Sequence, residues 1–328
     1  GCVKLCISVQ MVFALSITSP LFWTLAAFAL IGFTLIVSHL AVVLYVSFCS
    51  VPNLRKKYNA KWAVVTGASS GIGKGIVEIL AKQGLNVVLI AKDDELLEKY
   101  HHTLRLSYKS LEFRKVGVNL GDPAGYMDKI EDATKDIVPN IFFSNAGYLL
   151  VGSFRKMTIK DQLANMECNV VSHLRIAHYL YNKMVEAKLK GAIVFTSSAA
   201  GYFPAPMSCM YGATKAFLSE FAASLAVEAS DFGIDVMAAH PSYTRTNMYQ
   251  TTAKLKILKV LDVFMGSEPE DVARMMFKGV GRTVWRDMGS YAISTRIIGR
   301  VIDWNLLVKS FIMSIKLNPD YETFKKLR

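Results

Sequence analysis

The stretch from Lys61 to Ile90 limits this chain to few folds. Lys61-Trp62-Ala63-Val64-Val65-Thr66 reads as a short apolar strand, and Gly67-Ala68-Ser69-Ser70-Gly71-Ile72-Gly73 as a glycine-rich turn. A helix is expected over 74–84, and Asn86-Val87-Val88-Leu89-Ile90 reads as a second strand. Strand, glycine turn, helix and strand within about thirty residues form a βαβ unit of the dinucleotide-binding kind. The glycines allow backbone N–H groups to approach a pyrophosphate at the helix N-terminus.

The second strand runs into Ala91-Lys92-Asp93. An acid at a strand end of this type binds a ribose 2′-hydroxyl, whereas a base favours a 2′-phosphate. Lys92, with Lys74 near the turn, favours NADP(H) over NAD(H), and Asp93 one position on is the competing acid. Further strands are expected at 113–118, ending at Asn119, and at 141–144, followed by Asn145-Ala146-Gly147. A helix over 161–186 contains Asn169, and strands at 193–198 and 234–239 follow. The last leads into His240-Pro241-Ser242-Tyr243-Thr244-Arg245-Thr246. Strands alternating with helices give an α/β fold, a Rossmann-type doubly wound parallel sheet. Residues 247–268 are polar and then apolar, as in a substrate lid.

Tyr211-Gly212-Ala213-Thr214-Lys215 opens a helix on which Phe217, Leu218, Phe221, Ala222 and Leu225 recur at helical spacing. Tyr211 and Lys215, four apart, point the same way. A free phenol titrates near 10, and a neighbouring ammonium pulls that value toward the working range. Ser198 lies thirteen residues earlier, at the C-terminal end of a strand, where open α/β sheets bind ligands. Alone, a Tyr–Lys pair at this spacing is a common accident; the glycine turn gives it weight.

The net charge of +12 is concentrated at the two ends. Residues 1–61 carry five bases and no acid, and residues 282–328 carry nine bases against four acids, so each end contributes +5. Nucleic-acid binding would place a basic stripe on the folded domain instead. From Leu21 to Cys49 no charged residue occurs, long enough to cross about 30 Å of hydrocarbon. Arg55, Lys56 and Lys57 follow and predict a cytosolic C-terminal side. A cleaved signal peptide is disfavoured by the length of the run and the lack of a small-residue cleavage site before the basic cluster. The expected organisation is a leader of uncertain status (1–20), a transmembrane anchor (21–50), an NADP(H)-binding domain (60–280) and a basic amphipathic extension (281–328). Within the extension, 290–317 either lies on a membrane interface or forms a core helix with a solvated face. Five cysteines without paired or ligand spacing suit a reducing compartment and no metal site.

Taken together, these residues resemble the short-chain dehydrogenase/reductase family over about 60–280. Thr66-Gly67-Ala68-Ser69-Ser70-Gly71-Ile72-Gly73 looks like its cofactor turn and Asn145-Ala146-Gly147 like its central-strand motif. Asn169, Ser198, Tyr211 and Lys215 fall where the family carries its catalytic tetrad. The nearest likeness is to the membrane-bound very-long-chain 3-ketoacyl-CoA reductase / 17β-hydroxysteroid dehydrogenase type 12 group. It is carried by Lys190-Gly191-Ala192-Ile193-Val194, Pro204-Ala205-Pro206 and the tyrosine segment. Asn119 stands where the family usually has an Asp, and Ser242 replaces the Gly that commonly follows Pro241.

The resemblance implies that Gly67, Ser69, Ser70, Gly71, Ile72, Gly73, Lys92, Asn119, Asn145, Ala146, Gly147, Tyr211, Lys215, Pro241 and Thr246 bind NADP(H). It implies proton donation by Tyr211, support from Ser198 and Lys215, and an Asn169-held water. The expected activity is NADPH-dependent reduction of a lipid-like ketone, foremost a long-chain 3-ketoacyl-CoA. A hydroxysteroid or retinoid dehydrogenase, a 3-ketodihydrosphingosine reductase and a membrane scaffold with a degenerate reductase domain are the alternatives. Expected partners are the membrane, a homodimer mate or other lipid-synthesis enzymes. The expected location is the endoplasmic-reticulum membrane, with the catalytic domain in the cytosol and Lys325-Lys326 as a dilysine retrieval signal.

Overall fold

Every strand from Trp62 onward is parallel to its neighbours, which forces each connection to cross a face of the sheet. The computed structural model describes residues 19–252, 256–318 and 320–321. Nearly all of the expected leader and the Lys325-Lys326 signal lie outside the described residues. The chain divides into two compact units, Gly1–Tyr45 and Val46–Arg328.

The first unit is dominated by α1 (Pro20–Phe48), whose last residues belong to the second. With 29 residues, α1 is long and apolar enough to cross a membrane. At 1.5 Å per residue it extends about 43 Å, more than the ~30 Å hydrocarbon core.

The second unit opens with α2 (Leu54–Lys57), β1 (Trp62–Thr66), α3 (Gly71–Lys82), β2 (Asn86–Ala91) and α4 (Glu95–Ser107). β3 (Phe113–Gly117), α5 (Tyr126–Thr134), β4 (Ile141–Ser144) and α6 (Ile159–Met166) follow. A π-helical turn, Glu167–Val171, joins α6 to α7 (Ser172–Glu186). Then come β5 (Gly191–Thr196), α8 (Cys209–Ala229), β6 (Ile234–Pro241), α9 (Lys256–Met265) and α10 (Pro269–Gly279). β7 (Trp285–Met288), α11 (Ser290–Val301) and α12 (Trp304–Ser314) follow, with a 3-10 turn at Ile315–Leu317.

The sheet order is β3-β2-β1-β4-β5-β6-β7. Alternate residues of β1 divide between two cores, as the period-2 geometry of a strand requires. Ala63 and Val65 pack with α3, α4 and α10, and Trp62 and Val64 with α5, α7 and α8. Burial on both faces explains the unbroken apolar runs of the central strands. Strand order reverses between β1 and β4, and that switch point opens a crevice at the carboxyl ends of the strands.

The sheet extends past residue 280, because β7 pairs with β6 from Ala238↔Trp285 to Pro241↔Met288. The sequence hides this strand: Trp-Arg-Asp-Met has two charges where a buried strand is expected to be apolar. Both are buried, and Asp287 is satisfied by the Tyr202 hydroxyl at 2.5 Å and Arg296 at 2.7 Å. The 290–317 segment is two helices rather than a continuous one.

Asn140 ties the sheet to its lower loops. Its buried amide donates to the Tyr58 carbonyl at 3.1 Å and the Lys190 carbonyl at 2.8 Å. Asn140→Ala leaves both carbonyls short of a donor, at a cost of about 2 kcal/mol. The expected outcome is a Tm about 5 °C lower in a thermal melt; an unchanged Tm contradicts the tie.

Candidate active site

The glycine turn lies against the end of β4 because two glycines remove the atoms that would prevent it. Gly67 has φ +64°, a conformation that side chains rarely adopt, and a Cβ there would stand 3.0 Å from Ala146 Cα. A Cβ at Gly73 would overlap the Gly67 carbonyl oxygen. The Thr66 hydroxyl accepts from the backbone amides of Asn145 and Ala146 at 2.8 and 2.9 Å. Asn145 donates to the Thr66 carbonyl at 3.2 Å and accepts from the Thr196 hydroxyl at 3.1 Å, so it clamps the ends of β1, β4 and β5.

A second clamp comes from His173, buried on α7. It contacts the Ser144 hydroxyl through Nδ1 at 2.7 Å and the Ala146 carbonyl through Nε2 at 2.8 Å. Burial pushes this imidazole down to about 3, so it is neutral. A carbonyl can only accept, so Nε2 carries the proton and Nδ1 accepts from Ser144. The loop Asn145-Ala146-Gly147 is thus fixed from two sides.

α3 starts at Gly71, inside the turn and three residues earlier than its sequence pattern predicts. Its N-terminal residues Ser70, Gly71 and Ile72 line a cavity of about 170 Å³. Ser198, Tyr211, Lys215, Pro241 and Thr246 line the same cavity. A neighbouring cavity of about 530 Å³ is lined by Ser69, Lys92 and Asn119. The two share Gly67, Ser70, Ala146, Gly147 and Asn247. Ser198 lies two residues beyond β5.

Gly73 and Asn169 line neither cavity. Gly73 packs instead against the Gly67 carbonyl and the Asn145 amide. Asn169 sits in the π-helical turn, a local widening that re-aims a side chain. It accepts from the Tyr148 amide at 3.0 Å and donates to the Tyr148 carbonyl at 3.1 Å. A Cβ at Gly147 would be 3.2 Å from Asn169 Oδ1 and 3.4 Å from Lys215 Nζ, so both polar atoms face that glycine.

Lys215 is fully buried, its ammonium donating to the Thr196 carbonyl at 2.8 Å and lying 5.6 Å from the Tyr211 ring centre. Burial pushes it down to about 8. Burial also raises the Tyr211 phenol, and a hydrogen bond with Ser198 offsets part of the rise. Desolvation therefore outweighs the pull expected from the ammonium, and the phenol is held in its acid form.

Sequence reasoning missed the support behind α8. Ser197 Oγ donates to the Lys215 carbonyl at 2.6 Å and meets Ser219 Oγ at 2.8 Å, and Ser219 meets His240 Nε2 at 2.9 Å. His240 lies 3.5 Å from Asp287 and is held neutral by burial. These residues lie in separate segments with no motif spacing. Tyr148, Met248 and Tyr249 also line the cavities, and only the lid reading of 247–268 hinted at the last two.

The residues fit a dinucleotide. The cradle at Gly67 and Gly73 leaves no room for a Cβ, the α3 N-terminus suits a pyrophosphate, and Lys92 lines the larger cavity. Asp93 is directed elsewhere: its carboxyl packs where a Cβ at Gly117 would stand, and it does not line that cavity.

The short chain dehydrogenase family profile matches residues 61–256. Hydroxysteroid dehydrogenase-like protein 1 of Gallus gallus is 36% identical over 197 residues, which are 59% of this chain and 58% of that protein. Very-long-chain 3-oxoacyl-CoA reductase-B of Danio rerio is 31% identical over 199 residues, 60% of this chain and 63% of that one. The chain thus spans about three fifths of the length of these relatives. Among solved structures, a short-chain dehydrogenase from Sphingobium yanoikuyae in complex with NADPH superimposes with a TM-score of 0.63 at 27% identity, over 69% of this chain and 87% of that one.

The buried ammonium gives a pH expectation. Lys215 is charged below about 8 and neutral above it. Turnover that needs the charge falls as pH rises through that value, by up to about tenfold per unit. kcat/KM for the cofactor, measured from pH 6 to 10, is expected to show this alkaline limb; a flat profile to pH 10 contradicts it.

Proposed function

The chain belongs to the short chain dehydrogenase family, and on that premise we propose that it is an NADPH-dependent reductase of lipid-like ketones. The favoured substrate is a long-chain 3-ketoacyl-CoA. The observation that carries the reading is the convergence of Ser198, Tyr211 and Lys215 on one cavity beside the glycine turn. The substrate class is supported by the likeness to the Danio rerio reductase. The likeness to a hydroxysteroid dehydrogenase-like protein supports a steroid ketone as the second reading.

A nicotinamide cofactor, held in the paired cavities, would supply hydride to the ketone carbon. Tyr211 donates its phenolic proton to the oxygen; burial raises the phenol's pKa, so the proton is still bound and available to give. Ser198 hydrogen-bonds that oxygen as charge develops. The Lys215 ammonium then favours the phenolate left behind. Asn169 and Lys215, converging on Gly147, suit a water that returns the proton. Gly67, Ser69, Ser70, Gly71, Ile72, Asn145, Ala146, Pro241 and Thr246 would hold the cofactor, with Asn119 and Lys92 of the larger cavity suited to its adenosine and 2′-phosphate.

The domain reading keeps an anchor at 21–50 and places the reductase domain on its cytosolic side, at the endoplasmic-reticulum membrane. The uncharged run and the Arg55, Lys56, Lys57 flank support this orientation.

A panel of ketones tested with NADPH in detergent-solubilised protein decides the substrate. Long-chain 3-ketoacyl-CoA is expected to give the highest kcat/KM, ahead of steroid, retinoid and 3-ketodihydrosphingosine substrates. Tyr211→Phe is expected to lower turnover at least about 100-fold while NADPH still binds. Near-wild-type turnover in that variant sinks the assignment. Lys92→Asp is expected to weaken NADPH more than NADH, since a carboxylate would meet the 2′-phosphate. An unchanged ratio of the two KM values would show that Lys92 does not meet the phosphate.

A further inference from the structure

α12 contributes only Leu307 to the buried interior. Trp304, Leu306, Ile312, Met313 and Leu317 are each more than half exposed, reaching 84% at Leu317. Leu306 and Met313, seven positions apart, share one face of the helix, and Lys309 lies beside them. Beneath α12, an apolar groove of about 620 Å³ runs along α8, walled by Phe203, Pro204, Phe311 and Ile315. Leaving this much apolar side chain in water is unfavourable, at about 25 cal/mol per Å². Something therefore covers it.

The charges indicate what covers it. Arg300, Lys309 and Lys316 are exposed along the same segment. The one acid between them, Asp303, is engaged as the cap of α12, accepting from the amides of Asn305 and Leu306 at 2.9 and 3.3 Å. Protein interfaces are depleted in lysine at their cores. A short helix with tryptophan at its end, exposed apolar residues and a lysine-rich flank matches an anionic bilayer surface instead. Only residues 49–53 separate α1 from α2, a tether of at most about 18 Å. A chain anchored through α1 keeps the second unit at the bilayer.

We propose that α12, with the end of α11, is an interfacial docking surface for an anionic lipid bilayer, separate from the anchor. The proposal rests on the anchoring part of the functional reading and not on the activity. Docked, α12 lies in the headgroup plane with Trp304 and Ile312, which line the open groove, in the acyl boundary and Lys309 and Lys316 beside Ile312 toward lipid phosphates.

The full chain is reconstituted at one copy per lipid nanodisc, with brominated lipids as quenchers of tryptophan fluorescence. The chain has four tryptophans; Trp62 and Trp285 belong to the sheet. Trp23→Phe and Trp304→Phe therefore isolate the signals of α1 and α12. The expected result is quenching lost in Trp304→Phe, strongest with bromines near the headgroup, and greater in anionic than in neutral discs. Replacing Arg300, Lys309 and Lys316 with Gln is expected to shift the docked population about fivefold per base toward the free form in anionic discs. If Trp304 contributes no quenching while Trp23 does, the docking surface is wrong and the anchor stands. If neither contributes, the anchor is wrong and the docking proposal falls with it. If Trp304 changes only when two copies share a disc, the groove is covered by a second copy and the proposal is overturned.

Discussion

The Thr66 hydroxyl, accepting two backbone amides from the turn after β4, is the contact on which the site depends. It closes the distance between the first strand and the central strand at the switch point of the sheet. With that distance fixed, only glycine fits at Gly67 and Gly73, and α3 can begin inside the turn. Its N-terminus then lines the same cavity as Tyr211. The clamps at Asn145 and His173 hold the far wall, and the Ser219–His240 chain supports α8 from behind. Rigid backbone of this kind suits the proposed site, which would orient a cofactor and a carbonyl together.

The dryness of the site sets its electrostatics. Tyr211 and Lys215 are both buried, and burial disfavours the charged form of each: the phenol rises and the ammonium falls. The pair is thereby poised with the tyrosine as an acid and the lysine able to lose its charge at mildly alkaline pH. A neighbouring anion would be stabilised more strongly here than in water. The surface chemistry of the chain runs the opposite way, with apolar side chains and bases left in contact with solvent on α12.

Much of the fold was legible because burial on both sheet faces writes itself as continuous apolar strands. The β1–turn–α3–β2 unit needed only Thr66, its glycines and the two apolar runs. What the sequence concealed is instructive in each case. β7 was hidden because Arg286 and Asp287 are charges buried inside the protein, Asp287 against Tyr202 and Arg296, which periodicity cannot foresee. The π-helical turn at Asn169 inserts one residue into a helix pattern that reads as continuous. The Lys92–Asp93 ambiguity was a matter of direction: Lys92 lines the larger cavity, whereas the Asp93 carboxyl packs against Gly117. The expected effect of Lys215 on Tyr211 named two residues that folding brings to one cavity but weighed charge above desolvation. The support behind α8 assembles from Ser197, Ser219, His240 and Asp287, brought together by folding alone.

The central claim is that the cavity bounded by Ser198, Tyr211 and Lys215 reduces a ketone directly with a hydride from NADPH. It is tested most directly by supplying NADPH deuterated at the nicotinamide C4 with a long-chain 3-ketoacyl-CoA and analysing the product by mass spectrometry. The account predicts one deuterium on the carbinol carbon, from one of the two C4-labelled isomers and not the other. A reduced product without deuterium from either isomer, or cofactor oxidation without a hydroxyacyl product, would contradict it.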